Sequence, residues 1–202
     1  MMTNRITQLI SITFAAVIVA GSASAPSHFY TLNSTATGDG APAAHCAVLV
    51  GPVSIPALVD RPQFTVQIAT NRAEIDEFNR WAAPLSENIA RVITGDLVVL
   101  LGTPRVATAP LANFDAAYRV TIDIQRFESV RSEAKKNEAV LVEAVWVVRG
   151  PTGGAARSGR TVAHEPAPGE GYAALAAAHS RALAKLSGDI AVAIRAEANE
   201  KP

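Results

Sequence analysis

The sequence predicts an α+β fold, a two-layer sandwich in which a mixed β-sheet carries two long helices packed on one face. Two stretches with helical spacing of apolar residues, 81–101 and 172–198, lie among segments in which apolar and polar residues alternate. Hydrophobic residues make up 49% of the 202 residues and charged residues 18%, which is enough apolar content for a packed core. One domain with the element order β-β-α-β-β-β-α accounts for the pattern.

The N-terminus has the order of a secretory signal peptide. Arg5 supplies a positive charge, residues 10–20 are almost wholly apolar, and small residues follow over 21–25. Cleavage after Ala23 or after Ala25 fits this pattern. The apolar run is shorter than the roughly 20 residues that a membrane-spanning helix needs, although an uncleaved anchor is the alternative. We therefore expect the mature protein to be exported.

The predicted organisation is a signal peptide over 1–23, a flexible linker over 24–45 and a single α+β domain over 46–202. Small and polar residues dominate the linker. Cys46 is the sole cysteine, which excludes an intramolecular disulfide. Because it precedes the apolar residues 47–50, we expect a buried residue at the head of a strand, with pairing to another chain as the alternative.

Strands are predicted wherever apolar and β-branched residues alternate with polar ones. In chain order they cover 47–53, 64–68, 118–127, 138–148 and a short segment around 160–163. Residues 74–78 are either a further short strand or the lead-in to the first helix. The polar residues 129–137 form a hairpin or a longer connection, and 150–159 form a second turn region.

Two helices complete the prediction, each with one apolar face. The first covers 81–101, with Pro84 in its first turn and Gly102 at its end. Its apolar stripe consists of Trp81, Leu85, Ile89, Val92, Leu97 and Leu100. The second covers 172–198, and one face carries Tyr172, Leu175, His179, Leu183, Leu186, Ile190 and Ile194.

The sequence contains no pattern that indicates catalysis. Eighteen basic and eighteen acidic residues give a net charge of zero, which provides no basic surface for nucleic acid. No nucleophile elbow, zinc-protease motif or phosphate loop is present. A metal site would need His164 and Glu165 to converge with His179, and a solvated loop histidine and a helix-face histidine are the favoured interpretations. We expect no enzyme activity, no cofactor and no metal.

The most distinctive residues are Asp60, Arg61, Pro62, Arg80 and Trp81. In one interpretation they form a structural junction, in which the arginines pair with Asp60 and Glu77 while Trp81 fills the core. In the other they contact a partner, because Trp and Arg are enriched in interface hot spots. The structural interpretation is favoured, and both stay open at this point.

Several short segments, in a fixed order, resemble one known family over nearly all of the mature chain. They are Phe29-Tyr30-Thr31-Leu32, Val50-Gly51-Pro52-Val53 with Ile55-Pro56, Asp60-Arg61-Pro62-Gln63, Arg80-Trp81-Ala82 with Pro84-Leu85, and Tyr118-Arg119-Val120 leading to Arg126-Phe127. The family is the PqiC-like ABC-type transport auxiliary lipoproteins of Gram-negative envelopes.

The resemblance implies a non-enzymatic periplasmic accessory subunit of an MCE/ABC-type intermembrane phospholipid transport system, associated with the outer membrane and contributing to its integrity. Its implied partners are an MCE-domain protein and the membrane components of the transporter, and it implies self-assembly into a homo-oligomer. Alternatives are a stand-alone periplasmic lipid- or small-molecule-binding protein and an envelope-structural protein without a transport role.

The chain departs from the family pattern at the lipobox. The corresponding stretch reads Val19-Ala20-Gly21-Ser22, with serine where the lipid-accepting cysteine would stand. Because serine has no thiol for thioether attachment, we expect no lipidation at Ser22. Cys46 is no substitute, since it lies too far from the apolar run.

Overall fold

A computed structural model describes residues 25–108, 114–132, 137–151 and 156–199 of the chain. The strands are β1 (His28–Tyr30), β2 (Val48–Ser54), β3 (Gln63–Ala69), β4 (Arg72–Trp81), β5 (Val106–Ala107), β6 (Tyr118–Ser132), β7 (Asn137–Arg149) and β8 (Arg157–Pro166). The helices are α1 (Leu85–Leu101) and α2 (Tyr172–Asn199). The predicted signal peptide over 1–23 lies outside the described residues.

All the strands belong to one curled, mixed sheet centred on the long strand β6. One side of β6 pairs in parallel with β2 over its first half and with β3 at Ser129 and Val130, and its other side pairs antiparallel with β7. Strands β4 and β1 extend the sheet beyond β3, while β8 extends it beyond β7. The pairing of β6 with two separate strands bends the sheet around the core.

Both helices contact each other and one face of the sheet, which confirms the predicted α+β sandwich. Helix α1 packs against β2, and α2 packs against β7 and β8. The apolar stripe predicted for α1 is buried at Leu85, Ile89, Val92 and Leu97, and Gly102 ends the helix with a left-handed φ of 63°. In the described part of the chain, neither helix combines the length and apolarity that crossing a bilayer requires.

The boundary between β4 and α1 corrects the prediction of a helix over 81–101. Trp81 is the last residue of β4, and its N–H donates to the carbonyl of Pro62 at 2.7 Å. The N–H of Ala82 donates to the carbonyl of Tyr30 at 2.9 Å, so strand pairing continues past Trp81. Pro84 is the N-cap of α1, one residue before the first helical turn.

The prediction of a flexible linker over 24–45 is wrong for residues 28–36. Residues 28–30 form β1, which pairs in parallel with β4, and Leu32 is fully buried. Asp96 on α1 then fixes the segment, because its carboxylate accepts hydrogen bonds from Ser34 Oγ at 2.6 Å and from two backbone N–H groups, of Thr35 and Ala36, at 3.0 Å. Composition missed this anchoring because the acceptor lies far along the chain.

The remaining differences concern strand length and number. Residues 74–78 belong to β4, so the strand alternative is confirmed there. Strands β6 and β7 extend into the predicted connection over 129–137, and β8 begins at Arg157 within the predicted turn region. The prediction lacked β1 and the two-residue β5. Cys46 is a free, buried cysteine two residues before β2, as expected, and burial raises the pKa of its thiol.

Candidate functional site

Four of the five candidate residues predicted at the junction line one open groove between the loop after β2 and the start of α1. The groove has a volume of about 390 Å³. It is lined by Asp60, Arg61, Pro62, Trp81, Ala82, Ala83, Pro84 and Leu85. We call it the junction groove. Arg80 is the fifth candidate residue and lies beside the groove without lining it.

Trp81 forms an inner wall of the junction groove and also belongs to the core. Its side chain is only 5% exposed, and its ring stacks on Phe64 with 4.1 Å between the centroids. Phe127 and His179 contact the same indole edge to face. Within the described residues the indole N–H makes no hydrogen bond. Trp81 therefore fills the core, as the structural interpretation predicted, while one side of its environment opens into the groove.

The two arginines of the junction differ in how they are held. Arg80 pairs with Glu77, with Nη2 and Oε2 3.6 Å apart, and its Nε–H donates to the Glu77 carbonyl at 2.8 Å. Arg61 is half-buried, and its Nε is buried without a hydrogen-bond partner. In the described part of the chain Arg61 forms no ion pair with the exposed Asp60. The predicted Arg80–Glu77 pair is confirmed, and the predicted Arg61–Asp60 pair is wrong.

A second cleft lies on the other side of the α1 N-terminus, against β2. Its volume is about 520 Å³. It is lined by Val50, Gly51, Pro52, Val53, Ala83, Ser86, Glu87, Asn88, Ala90, Arg91 and Thr108. We call it the β2–α1 cleft, and it shares Ala83 with the junction groove. The start of α1 thus separates two concave surfaces.

The N-terminus of α1 is left without a side-chain cap. The N-cap is Pro84, whose side chain has no hydrogen-bonding group, and the first intrahelical bond runs from the Asn88 N–H to the Pro84 carbonyl at 3.0 Å. The backbone N–H groups of a first helical turn have no intrahelical acceptor, and they carry the positive end of the helix dipole. Acceptor groups of a bound molecule are therefore favoured at this end of the helix.

A third concavity, of about 320 Å³, opens where β2 has left β6 and β3 has not yet joined it. Leu58, Thr65 and Gln67 line it together with residues 125–129 of β6. Leu58 is 50% exposed, which leaves an apolar side chain at the rim. Its charged lining residues are Arg72, Arg126 and Glu128, and Arg126 pairs with Glu128 at 2.8 Å.

The only buried serine–histidine pair among the described residues lies in the core rather than in a cleft. His179 Nε2 and Ser129 Oγ are 2.9 Å apart, and the imidazole stacks on Phe127 at 3.9 Å. Complete burial lowers the pKa of His179 to about 3, so the ring is neutral at physiological pH. Its Nδ1 has no partner among the residues that the structure describes, so none of their carboxylates orients the ring. The pair is closed to substrate and serves packing.

The candidate metal residues His164, Glu165 and His179 are held apart by different roles. His164 is exposed on β8, while Glu165 accepts hydrogen bonds from Lys185 and Arg181 at 2.5 Å and 3.3 Å. His179 is committed to Ser129 in the core. Across the described ranges, no three acidic, histidine or cysteine side chains are grouped to hold a metal ion.

The polar residues on the buried side of α1 were missed by the sequence reasoning. Asn88 and Asp96 are 1% and 0% exposed, and Asp96 follows Leu85, Ile89 and Val92 at steps of four, three and four along the predicted apolar stripe. A polar residue that continues the spacing of an apolar stripe is the sequence signal that could have identified Asp96. Such a residue is expected to be buried, and a buried polar side chain requires a hydrogen-bond partner. For Asp96 the partners are the N-terminal segment and Ser187 on α2, at 3.0 Å.

Comparison with known proteins identifies similarity at the level of family and fold. The family model for the ABC-type transport auxiliary lipoprotein component matches residues 30–191. No curated protein matches the chain in sequence. The match begins within β1, which agrees with the packing of that segment into the body.

Solved structures share the fold at low sequence identity. A Xanthomonas campestris protein of the DUF330 family superposes with a TM-score of 0.70 at 18% identity, over 85% of this chain and 99% of that one. An uncharacterized protein superposes with a TM-score of 0.62 at 17% identity, over 84% of this chain and 99% of the other. At these identities the likeness concerns the arrangement of the strands and helices.

Proposed function

The chain belongs to the family of ABC-type transport auxiliary lipoprotein components, and from this premise we propose that it is a non-enzymatic periplasmic accessory subunit of an MCE/ABC-type lipid transport system. Membership in a lipoprotein family indicates a location in the cell envelope. In the proposed role the subunit docks to an MCE-domain protein, works with the membrane components of the transporter, and contributes to outer-membrane integrity. Homo-oligomerisation is part of the proposal.

The observation that carries the docking role is the junction groove. It combines a tryptophan wall, the unpaired Nε of Arg61 and the uncapped start of α1 in one open concavity. Aromatic and arginine side chains in a partly desolvated pocket are the usual anchors of an interface. An acceptor group on a loop of a partner would satisfy the Arg61 donor.

Site-specific photo-cross-linking in intact envelopes tests this role. A photoreactive residue at Ala82, in the groove, should capture an MCE-domain protein, whereas the same residue at Val192, which is 64% exposed on α2, should not. Arg61→Gln should reduce capture from Ala82 by at least tenfold and leave the unfolding midpoint unchanged. Equal capture from both positions, or none from Ala82, would overturn docking at the groove.

A stand-alone lipid- or small-molecule-binding protein is the second candidate. The observation in its favour is the presence of concavities of about 320 to 520 Å³, large enough for a small ligand. This candidate predicts that the protein purifies with bound lipid and without a protein partner. Loss of the gene product would then leave outer-membrane permeability unchanged, whereas the accessory role predicts increased permeability.

A further inference from the structure

The β2–α1 cleft is lined by a residue with a buried hydrogen-bond donor that has no partner among the described residues. Asn88 is 1% exposed, and within that part of the chain its amide Nδ2 is unpaired, while its Oδ1 accepts a hydrogen bond from Arg91 Nη2. Buried polar groups are hydrogen-bonded in the great majority of cases, and an unsatisfied one lowers stability. Rotating the amide would not help, because Arg91 offers only donors. The missing partner of Asn88 is therefore an acceptor.

Further donors surround the same position. Arg91 lines the cleft one turn further along α1, and its guanidinium also donates to the Leu32 carbonyl at 3.4 Å, which holds it in place. Ser86 adds a hydroxyl in the first turn of α1, whose backbone N–H groups have no side-chain cap. Helix N-termini bind phosphate groups through such N–H groups and the helix dipole. This set of donors matches the oxygens of a phosphate group.

The cleft also carries one negative charge. Glu87 lines it and forms no ion pair within the described residues, and it lies four residues before Arg91. Side chains at this spacing are neighbours on a helix, with about 5–6 Å between their Cβ atoms. An inorganic phosphate bound to Arg91 would be repelled by Glu87. A ligand that carries a cation beside its phosphate would interact favourably with both residues.

We propose that the β2–α1 cleft binds a zwitterionic phosphoamine, a phosphate ester with an ammonium group two carbons away. Its phosphate contacts Asn88 Nδ2, Arg91 and the first turn of α1, and its ammonium contacts Glu87. Such a group occurs free in small molecules and as the headgroup of phosphatidylethanolamine. The site goes beyond the docking role, because Asn88 and Arg91 line the β2–α1 cleft and not the junction groove.

Calorimetric titration of the full-length protein tests the site with soluble probes. Glycerophosphoethanolamine should bind at least tenfold more tightly than either inorganic phosphate or ethanolamine, because only the first presents both charges. Asn88→Leu and Arg91→Gln should each weaken its binding by at least tenfold. Glu87→Gln should remove the preference over inorganic phosphate. The matched control is Arg119→Gln, which removes one exposed arginine from β6 and should leave binding unchanged.

Stability measurements separate loss of the site from loss of the fold. Asn88→Leu removes the unpaired Nδ2 donor but also the Oδ1 that accepts from Arg91, so its unfolding midpoint should fall by no more than about 2–4 °C. Binding that is undetectable, equal for all three probes, or unaffected by Asn88→Leu in a folded variant would overturn the proposal. Cross-linking from the junction groove should persist in Asn88→Leu, so the docking role fails or holds independently.

Vesicle flotation identifies the source of the phosphoamine. Flotation with phosphatidylethanolamine-containing vesicles, but not with phosphatidylglycerol vesicles, supports a lipid headgroup as the ligand. Binding of glycerophosphoethanolamine without flotation supports a free phosphoamine. If the protein floats equally with both kinds of vesicle, and Asn88→Leu does not change that flotation, recognition through this cleft would be overturned.

Discussion

The two tryptophans of the chain are buried to a similar degree but lie in regions of different character. Trp81 ends β4 and is 5% exposed, stacked on Phe64 beside the junction groove. Trp146 on β7 is 7% exposed, lies over Gly159 of β8 and donates its Nε1–H to Thr161 Oγ1 at 3.1 Å. Thr161 in turn donates to Asp189 on α2 at 2.5 Å.

The two regions differ in whether their polar groups find hydrogen-bond partners within the described part of the protein. Around Trp146 the indole N–H, the threonine hydroxyl and the aspartate form an internal chain that joins β7, β8 and α2. Around Trp81, Arg61 Nε is buried with no partner within the described residues, and the first turn of α1 lacks a side-chain cap. Polar groups left open beside concave surfaces are suited to binding another molecule, which is why the docking that we propose involves the Trp81 region.

The largest expected effect comes from Trp81→Ala. Removing a buried indole that contacts Phe64, Phe127 and His179 should lower the free energy of unfolding by about 3–5 kcal/mol, measured by urea denaturation. Trp81→Phe should retain most of the stacking and recover most of that loss. A loss below about 1 kcal/mol in Trp81→Ala would mean that Trp81 acts only at the groove.

A pH-dependent loss of stability is expected in the same region. Because His179 has a pKa of about 3 in the folded protein and about 6.5 when unfolded, the unfolded state binds the extra proton below pH 6.5. The stability that the protein gains from its neutral, buried His179 is fully present above pH 6.5 and is lost as the pH falls toward 3. The free energy of unfolding should therefore decrease by about 2 kcal/mol between pH 7 and pH 5. The His179→Leu variant should not show this decrease in the free energy of unfolding. Parallel pH profiles of stability for the wild type and the variant would contradict the prediction.

Gly159→Ala tests the closed packing around Trp146. A Cβ on Gly159 would lie 2.2 Å from Trp146 Cζ2, so the indole must move. Overpacking of this kind should cost about 1–3 kcal/mol, detectable as a lower thermal midpoint. The matched control is Gly188→Ala on α2, where a Cβ meets no atom within 4 Å and should increase stability by about 0.5–1 kcal/mol. Equal changes in the thermal midpoint of the two variants would contradict the close contact between Gly159 and Trp146.

Thr161→Val should give the smallest of these effects. The substitution keeps the shape of the side chain but removes the acceptor of the Trp146 N–H, which should cost about 1 kcal/mol in the free energy of unfolding. The substitution also removes the hydrogen bond from Thr161 to Asp189. Because Asp189 is exposed and can be solvated by water, losing that bond should add little to the destabilisation. Thr121→Val, at an exposed position of β6, provides the control. No difference between the two variants would show that the Trp146 hydrogen bond is dispensable.

Local patterns predicted most elements because each depends on short-range periodicity. The alternation in β6 and β7 and the three- and four-residue spacing in both helices were confirmed, with limits extended by several residues in β6 and β8. The error at Trp81 has the same origin. Its spacing to Leu85 suits a helix, but its backbone pairs with Pro62 and lies beside Tyr30 of β1. Such pairing between distant segments leaves no periodic signal.

For the candidate site too, the residues with local sequence signals were predicted, and those that depend on tertiary contacts were not. Sequence reasoning selected Asp60, Arg61, Pro62 and Trp81, and the fold brings them to one groove. It missed Asn88, whose unpaired amide is meaningful only beside β2 and Arg91. It also assigned residues 28–36 to a linker, although Asp96 holds them through backbone N–H groups. Asp96 lies about 60 residues after the segment that it holds, so composition carries no record of that contact.

By itself, the sequence determined the α+β class, the two amphipathic helices, the apolar N-terminal run and the resemblance to the family, because composition, periodicity and ordered motifs are properties of the chain. Only the tertiary structure decided that the N-terminal segment packs into the sheet, that Trp81 ends a strand, and that two clefts flank the start of α1. Those features depend on which distant backbone and side-chain groups satisfy one another when the core is buried.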